Sequence, residues 1–402
     1  MKTKIQLFAA FLLLAVGALW LTSCSSEDAV QGSGSQADAS LTLTINTGKV
    51  GSRATAWDGT TTPTSTEENT INRLTVGIFD ASTKKVKTIV ELTSAPTGGN
   101  SLSVSGNTAT AKIVTTSLAT GDDVLVAANA PAGNFAGVAD ETGFNAKTEG
   151  IESAVLSSSD NTKEINNNIP MYGASTLDGS GSDFTATVSV QHQLAKITLD
   201  DLEVAFDANG PYKEAEFTPT EFFLVNVPEK LAFSSNAWVN GASHLHGMSS
   251  TTYSSWTAAT EWGTYKEYLS SAATGSTALK GTSATYASKS YFYVTPCDDA
   301  STNGKMKLII AGTFKTNSSD GGTTVFYPVA INADYAADGT PSAATNGGAE
   351  VFKVYPNKNY KCKVVIKTIG TTDPTKNLDP QTATVTVTVT DFVPASQTTT
   401  FE

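Results

Sequence analysis

Two short stretches, one near each end of the chain, alternate strictly between apolar residues and threonine or other polar residues. The apolar positions of the first stretch are Leu41, Leu43 and Ile45. Those of the second stretch are Ala383, Val385, Val387 and Val389. In an extended chain a period of two places every second side chain on the same face. Both stretches therefore predict β-strands with one buried face.

The remainder of the chain predicts further short strands, separated by turns rich in glycine, asparagine and aspartate. The predicted strands are 74–80, 86–92, 108–114, 123–129, 184–190, 195–202, 221–227, 291–295, 306–314, 324–331 and 359–369. Helix is predicted only in short pieces, such as around 142–156. Many short strands with frequent turn residues are typical of β-sandwiches, which makes this an all-β protein.

The N-terminal residues resemble a bacterial lipoprotein signal peptide. Lys2 and Lys4 precede an apolar run at 7–21, and the sequence Leu-Thr-Ser-Cys then ends at Cys24. The run is too short and too close to the N-terminus to favour a permanent membrane span. We therefore expect residues 1–23 to be removed and Cys24 to be lipidated, which anchors the precursor in the outer membrane.

A polar run containing glycine follows the first alternating stretch and ends at Arg53. Arg73 is the one other arginine of the chain, and we expect it to be folded away because an apolar run follows it. An arginine-specific protease is therefore predicted to cut the bond between Arg53 and Ala54. The cut would free the first strand and leave a groove with unpaired backbone donors and acceptors.

The second alternating stretch is the candidate that refills this groove, because a strand supplied by a neighbouring chain can complete a sheet. The alternative is that both stretches are ordinary edge strands. Roughly 350 residues follow the predicted cut, which is too many for one small sandwich. We therefore predict a propeptide at 24–53, one sandwich domain at 54–183 and a second at 184–402.

Charge and cysteine content limit the alternatives. The formal net charge of -12 argues against nucleic acid as a partner, since nucleic-acid binding needs a basic surface. Cys297 and Cys362 could form one disulfide in an exported protein, although two separate buried thiols are the favoured interpretation.

No motif of catalysis or of cofactor binding is found, so we expect neither an enzyme nor a cofactor. His244 and His246 would share one face of a strand, but a metal site needs further ligands that the local sequence does not show. The segment 238–268 is rich in tyrosine and tryptophan. We expect these rings to pack against the body of the protein, with a glycan-binding loop as the alternative.

Several phrases, in this order along the chain, resemble the fimbrillins, the type V pilins of Bacteroidia. They are INRLTVGIFD at 71–80, IPMYGAS at 169–175, VQHQLAKITL at 190–199, VFYPVAIN at 325–332, VYPNKNYKCKVVIKTIGTTDP at 354–374 and TVTVTVTDFV at 384–393. Two departures occur. Gln191, His192 and Gln193 stand where a basic residue is common, and Asp391 and Phe392 stand where tryptophan is frequent.

The resemblance implies two transthyretin-like β-sandwich domains in tandem. It also implies a lipoprotein precursor that a surface arginine-specific protease cuts, and a head-to-tail polymer in which a C-terminal strand, with Phe392 filling a pocket, replaces the lost first strand. The implied function is a structural pilin of the cell-surface fimbrium that supports adhesion and biofilm formation. Its partners would be identical or related pilin subunits, the protease, outer-membrane lipid and a host or bacterial receptor. A fimbrial tip or anchor subunit and a monomeric glycan-binding surface lipoprotein stay open as alternatives.

Overall fold

A computed structural model describes much of the chain. The described residues are 39–47, 65–157, 160–164, 167–235, 238–239, 241, 243–288, 290–298, 305–335, 341–343, 352–376 and 383–391. The protein is all-β, as the sequence predicts. Among the described residues, no helix has the length and apolar composition needed to cross a bilayer.

The first half of the chain contains twelve described strands and three short helices. The strands are β1 (Ala39–Thr47), β2 (Leu74–Phe79), β3 (Val86–Leu92), β4 (Ser101–Ser105), β5 (Thr108–Thr115), β6 (Asp123–Ala128), β7 (Thr148–Gly150), β8 (Leu156–Ser157), β9 (Asp160–Glu164), β10 (Met171–Thr176), β11 (Asp178–Ser180) and β12 (Asp183–His192). The helices are α1 (Ser65–Glu68), α2 (Glu141–Asn145) and α3 (Ile151–Val155).

The second half adds sixteen described strands. They are β13 (Ala195–Val204), β14 (Glu216–Val225), β15 (Val227–Pro228), β16 (Lys230–Ala232), β17 (His244–His246), β18 (Thr264–Tyr265), β19 (Ser270–Ala272), β20 (Leu279–Lys280), β21 (Ala284–Tyr286), β22 (Ser290–Val294), β23 (Lys307–Lys315), β24 (Thr323–Ala330), β25 (Ala333–Tyr335), β26 (Pro341–Ala343), β27 (Lys358–Ile366) and β28 (Ala383–Asp391). Two 3-10 turns lie at Thr260–Trp262 and Glu267–Leu269.

Two layers of strands form what we call the first sandwich. One layer has the order β4-β5-β1-β12, with β11 beside β12, and the other has the order β3-β2-β6-β10. The layers are continuous only where the last two residues of β12 pair with the first two of β10. A single buried cluster contains apolar side chains from β1, β5 and β12 of one layer and from β2 and β6 of the other. The alternation along each strand produces this core, because every second side chain points inward.

The second sandwich also has two layers. One has the order β21-β13-β27-β28, with β22 beside β13, and the other has the order β19-β14-β23-β24, with β20 beside β14. Its buried cluster extends to Phe135, Phe144 and Ile151, which precede β10 in the chain. The strand β7 pairs with β16, so the backbone also connects the two halves of the chain. The apolar cluster of the second sandwich therefore includes residues from the first half of the chain, while a separate cluster fills the first sandwich.

Most of the predicted strands are observed with shifts of a few residues at their ends. The short pieces of helix predicted around 142–156 are observed as α2 and α3, and between them lies β7, whose backbone pairs with β16. The predicted division after residue 183 falls at the first residue of β12, whose described partners all lie in the first sandwich. The chain passes to the second sandwich between His192 and Ala195.

Candidate functional site

The strand β1 lies in the interior of its layer. It pairs in parallel with β12 from Ser40 opposite Asp183 to Thr47 opposite Val190. On its other side it pairs antiparallel with β5 from Ala39 opposite Thr115 to Asn46 opposite Thr108. We call this position between β5 and β12 the β1 slot. The interpretation of this stretch as an edge strand is therefore wrong.

The side chains of β1 alternate between the core and the outer face of the layer. Leu41, Leu43 and Ile45 are 0% exposed and belong to the core of the first sandwich. Thr42, in contrast, is exposed on the outer face. Burial of one such aliphatic side chain contributes about 1.5 to 3 kcal/mol to stability, so these three side chains strongly stabilise β1 in the slot.

Both ends of β1 are also held by hydrogen bonds. At the beginning, the backbone N–H of Ser40 donates to the carbonyl of Ser182 over 2.7 Å. At the end, both the backbone N–H and the hydroxyl of Thr47 donate to the carbonyl of Asn107 over 3.0 Å. The strand is therefore paired along its whole length. Its covalent connection to the rest of the described chain runs through residues 48–64, which lie outside the described part.

The second alternating stretch forms β28, an edge strand of its own sheet. It pairs antiparallel with β27 over nine residues, from Ala383 opposite Ile366 to Asp391 opposite Lys358. Thr386 and Thr388 are exposed. Within its own subunit this strand is therefore held by a full ladder of backbone partners on β27.

Some of the predicted site residues lie outside the described residues. They are Cys24, Arg53, Ala54 and Phe392. For Ala383, Val385, Val387 and Val389 the described structure is that of the backbone. The other arginine, Arg73, is described, and its side chain is 32% exposed and pairs with Glu91 over 3.3 Å. The expectation that Arg73 is folded away is thus wrong for its side chain, which reaches the surface.

A buried polar cluster lies where the first sandwich meets the second. The Glu68 Oε1 atom accepts hydrogen bonds from Lys196 Nζ over 2.7 Å and from the Tyr293 hydroxyl over 2.8 Å. The side chains of Glu68 and Lys196 are 4% and 5% exposed. We call Glu68, His192, Lys196, Tyr293 and Asn357 the junction cluster. Since an unpaired charge at this depth would be costly, the ion pair fixes α1 against β13 and β22.

His192, the last residue of β12, belongs to the same cluster. Its Nε2 atom lies 2.9 Å from the Glu68 carbonyl oxygen, and its Nδ1 atom lies 3.2 Å from Asn357 Oδ1. Burial lowers the pKa of His192, and the nearby Glu68 carboxylate opposes this effect only in part, so the ring is neutral. Asn357 immediately precedes β27, and the cluster therefore lies at the end of the β1 slot that is nearest to the second sandwich.

The sequence did not reveal the junction cluster. Glu68 and Lys196 are far apart in the chain, and such a pair depends on the tertiary fold. The usable signal was Lys196 itself, a lysine inside an apolar predicted strand. A charged residue in that setting is seldom buried without a partner.

The remaining candidates from the sequence have structural roles. Tyr253, Trp262 and Tyr268 are buried, as expected for rings that pack on the body of the protein, whereas Tyr265 is 41% exposed. His246 is buried between the rings of Trp262 and Tyr265. Within the described residues, no group of three or more histidine, cysteine, aspartate or glutamate side chains could hold a metal ion.

Cys297 and Cys362 are both buried and do not form a disulfide. Cys362 lies in β27, and burial raises the pKa of its thiol to about 12. The favoured interpretation of separate buried thiols is confirmed.

A family comparison bears on this arrangement. Residues 39–191 match the model of the major fimbrial subunit protein (FimA) family, a span that begins at β1 and ends within β12. This match confirms the resemblance to the fimbrillins over residues 39–191, which span the first sandwich. No curated protein sequence matches the chain significantly.

Solved structures extend the likeness of the fold over most of the chain. A fimbrilin from Porphyromonas gingivalis W83 is 18% identical, with a TM-score of 0.58 over 89% of this chain and 99% of that chain. A proposed cell adhesion protein from Bacteroides eggerthii is 22% identical, with a TM-score of 0.56 over 89% and 96%. Another from Parabacteroides distasonis is 16% identical, with a TM-score of 0.60 over 90% and 100%. These similarities show a shared fold, and the proteins named are fimbrial or adhesion proteins rather than enzymes.

Proposed function

We propose that this chain is a structural subunit of a surface fimbrium that polymerises by strand exchange. Cleavage after Arg53 releases the segment that carries β1. The β28 strand of a second subunit, with the adjoining Phe392, then occupies the vacated slot. The proposal rests on the match of residues 39–191 to the model of major fimbrial subunits and on the interior position of β1.

The interior position of β1 is the observation that carries the proposal. Loss of an edge strand would expose one sheet edge, whereas loss of β1 exposes the facing edges of both β5 and β12. It also leaves the places of three fully buried aliphatic side chains empty. Unpaired backbone groups and an open apolar groove are both unfavourable, so a cleaved subunit has a strong tendency to accept a replacement strand.

The replacement must come from a strand that its own subunit can release. β28 lies at the edge of its sheet, where β27 is its hydrogen-bonded neighbour. The short strand β25 lies close to β28 without belonging to the same sheet. Its removal leaves β13 and β27 paired with each other. An edge strand with a matching apolar pattern is therefore a suitable donor, and transfer exchanges one ladder of backbone hydrogen bonds for two.

The precursor is proposed to reach the cell surface as a lipoprotein, anchored to the outer membrane by the lipid on Cys24. Cleavage after Arg53 would then have two effects, because it separates the rest of the protein from its lipid anchor and allows β1 to leave the slot. The partners are identical or related subunits, the protease and an adhesion receptor of the host or of other bacteria. Adhesion and biofilm formation would follow from the assembled fibre.

The test uses purified protein that begins after Cys24, treated with an arginine-specific protease and imaged by negative-stain microscopy. We expect fibres only after cleavage, from subunits whose first residue is Ala54. Arg53→Ala should stay uncut at this bond and monomeric, whereas Arg73→Ala should be cut and should polymerise. Because the Arg73 side chain is partly exposed, this second variant is the necessary control. Fibres from Arg53→Ala protein that retains β1 would refute the proposal.

Lipidation can be tested separately with Cys24→Ser in cells. We expect this variant to lose labelling with a palmitate analogue and to lose surface delivery, because the thiol is the lipid acceptor. The fold of residues 39–391 should be unaffected. Continued labelling would contradict the assignment of Cys24.

A further inference from the structure

The strands β1 and β28 match along their whole length. Each has nine residues, ASLTLTINT and ATVTVTVTD, and each begins with alanine and places aliphatic residues at the third, fifth and seventh positions. The pattern is nearly symmetrical about its centre. A donated β28 could therefore place its apolar row in the slot in two ways, running in the direction of β1 or in the opposite direction. The two ends of the slot distinguish between these directions.

The Thr47 end of the slot lies near the second sandwich. β1 is parallel to β12, and Thr47 lies opposite Val190, two residues before His192 of the junction cluster. β13 of the second sandwich begins shortly afterwards at Ala195. After cleavage, residues 54–64 remain attached to α1, which the Glu68 ion pair fixes at this same place. A donor chain that enters at this end would have to pass these elements.

The Ala39 end lies at the opposite pole of the first sandwich. Ser40 is opposite Asp183, the first residue of β12, and donates to the Ser182 carbonyl. In the precursor, the chain before Ala39 leaves the slot at this pole, and cleavage removes that chain together with β1. The donor chain can therefore enter the slot at this pole, because cleavage removes every residue that precedes Ala39.

The charged residue of β28 favours the same direction. Ala39 is 4% exposed and belongs to the apolar core of the first sandwich, whereas the buried position at the other end of β1 holds the polar Thr47. If β28 ran opposite to β1, Asp391 would take the place of Ala39 and bury its carboxylate in that apolar core. If it runs as β1 does, Ala383 takes the small apolar position, and Asp391 takes that of Thr47, whose hydroxyl hydrogen-bonds to the carbonyl of Asn107 in the turn before Thr108. A carboxylate buried among apolar side chains is unfavourable, so the parallel arrangement with β12 is preferred.

We infer that the donated β28 lies in the β1 slot in the direction and register of β1, with Ala383 in the place of Ala39 and Asp391 in that of Thr47. The body of the donor subunit then meets the acceptor at the Asp183 pole of its first sandwich. This inference rests on the proposed function. It adds which surfaces of two identical subunits come together and predicts which residues are opposite each other in the fibre.

Engineered disulfides in the cleaved, assembled fibre test the direction. Asn46 is opposite Thr108 in β1, so Thr390 of the donor should be opposite Thr108 of the acceptor. Opposite Cα atoms in antiparallel strands are about 4.5 to 5.5 Å apart, which suits a disulfide. The variant with Thr390→Cys and Thr108→Cys should form covalent ladders on oxidation. The matched variant with Thr384→Cys and Thr108→Cys should not, because only the opposite direction brings these two residues together.

A second pair of variants tests the register at two exposed positions. Thr42 and Lys112 are opposite each other on the outer face, so Thr386 should be opposite Lys112. Thr386→Cys with Lys112→Cys should therefore form a disulfide between subunits, and Thr388→Cys with Lys112→Cys should not. Each single-cysteine variant measures the background from the buried Cys297 and Cys362, and uncleaved protein shows that the bond requires assembly.

The possible results separate this inference from the proposed function. Ladders from the Thr390 and Thr386 variants support the inference. Ladders from the Thr384 and Thr388 variants would overturn the direction while leaving strand exchange intact. Ladders from the Thr388 variant alone would overturn the register. Fibres in which no variant forms a ladder would overturn the inference, whereas fibres from Arg53→Ala protein that retains β1 would overturn the proposed function.

Discussion

The strands β1 and β28 have the same length and the same alternation, yet they occupy opposite kinds of position. β1 is paired on both sides, in parallel with β12 and antiparallel with β5. β28 is paired with β27 at the edge of the second sandwich. An interior strand contributes two ladders and separates two sheet edges when it leaves, whereas an edge strand contributes one ladder.

This difference explains how one chain can combine a stable precursor with a polymerising product. A strand that is held on both sides does not leave by itself, so a covalent cut is needed before it can be lost. A strand that is held on one side can be given up at lower cost and gains a second ladder when it enters the slot of another subunit. The asymmetry between the strands, rather than either strand alone, therefore gives assembly its direction.

The largest expected effect comes from a charge inside the slot. Leu43 is 0% exposed at the centre of β1, and loss of its side chain should cost about 2 to 5 kcal/mol. Leu43→Asp also buries an unpaired carboxylate, which adds several kcal/mol. This total approaches the entire stability of a typical domain, so we expect the precursor to unfold or aggregate. Thr42→Asp, at an exposed position of the same strand, should change the urea midpoint little.

A result in which both β1 variants unfold at the same urea concentration would contradict the interior position of β1. Circular dichroism and urea unfolding of the uncleaved protein are sufficient measurements. The cleaved protein is unsuitable here because it lacks the strand.

Local pattern was sufficient to predict β1 and β28 as strands, because a period of two is visible in the sequence. It could not distinguish the interior strand from the edge strand. The partner of β1 on one side is β12, whose residues lie far away in the chain. Nothing in the residues of either strand encodes that distant pairing, so both remained open to interpretation as edge strands.

Other features that the sequence did not reveal have the same origin. The backbone around Lys147 and Ile151 pairs with the segment 229–233, a tertiary pairing that the sequence around the two short helices does not indicate. The ion pair of Glu68 and Lys196 likewise joins residues that only the fold brings together. Arg73 precedes a buried strand, but its long side chain extends to pair with Glu91 near the surface. The neighbouring residues therefore predicted the buried strand that follows Arg73, but they did not predict the exposure of the Arg73 side chain.

Removal of the edge strand should have a smaller effect on the precursor. Deletion of residues 383–402 removes one nine-residue ladder, but it also removes the entropy cost of ordering those residues. Each hydrogen bond contributes about 1 kcal/mol to stability, and the entropy cost of ordering the strand largely offsets this gain. We therefore expect the deletion to lower the free energy of unfolding by about 3 kcal/mol or less. The protein should fold, be cut after Arg53 and fail to polymerise. If the cleaved deletion variant still forms fibres, another interface must hold the polymer.

A single polar substitution in β28 should separate assembly from folding. Val387→Asp would place a carboxylate in the position of Leu43 within the slot of the acceptor, and we expect no fibres. In the precursor the same change affects an edge strand, so its effect on the urea midpoint should be smaller than that of Leu43→Asp. Thr388→Asp at an exposed position is the matched control, and it should retain most of the assembly. Equal loss of fibres in both variants would show that added charge alone, rather than the slot, is responsible.

The smallest effect that we predict concerns how well β28 fills a slot shaped for β1. The slot holds Leu41, Leu43 and Ile45, whereas β28 offers Val385, Val387 and Val389, each one carbon smaller. Val387→Leu should restore the missing methylene at the central position and strengthen the contact between subunits by about 0.8 kcal/mol. That is roughly a fourfold lower dissociation constant, since about 1.4 kcal/mol corresponds to a factor of ten. The temperature at which fibres dissociate in detergent should therefore rise. Val387→Thr keeps the shape of valine but replaces a methyl group with a hydroxyl in an apolar position, so it should lower that temperature. If Val387→Leu weakened the fibre while Val387→Thr left it unchanged, the central residue of β28 would not occupy the place of Leu43.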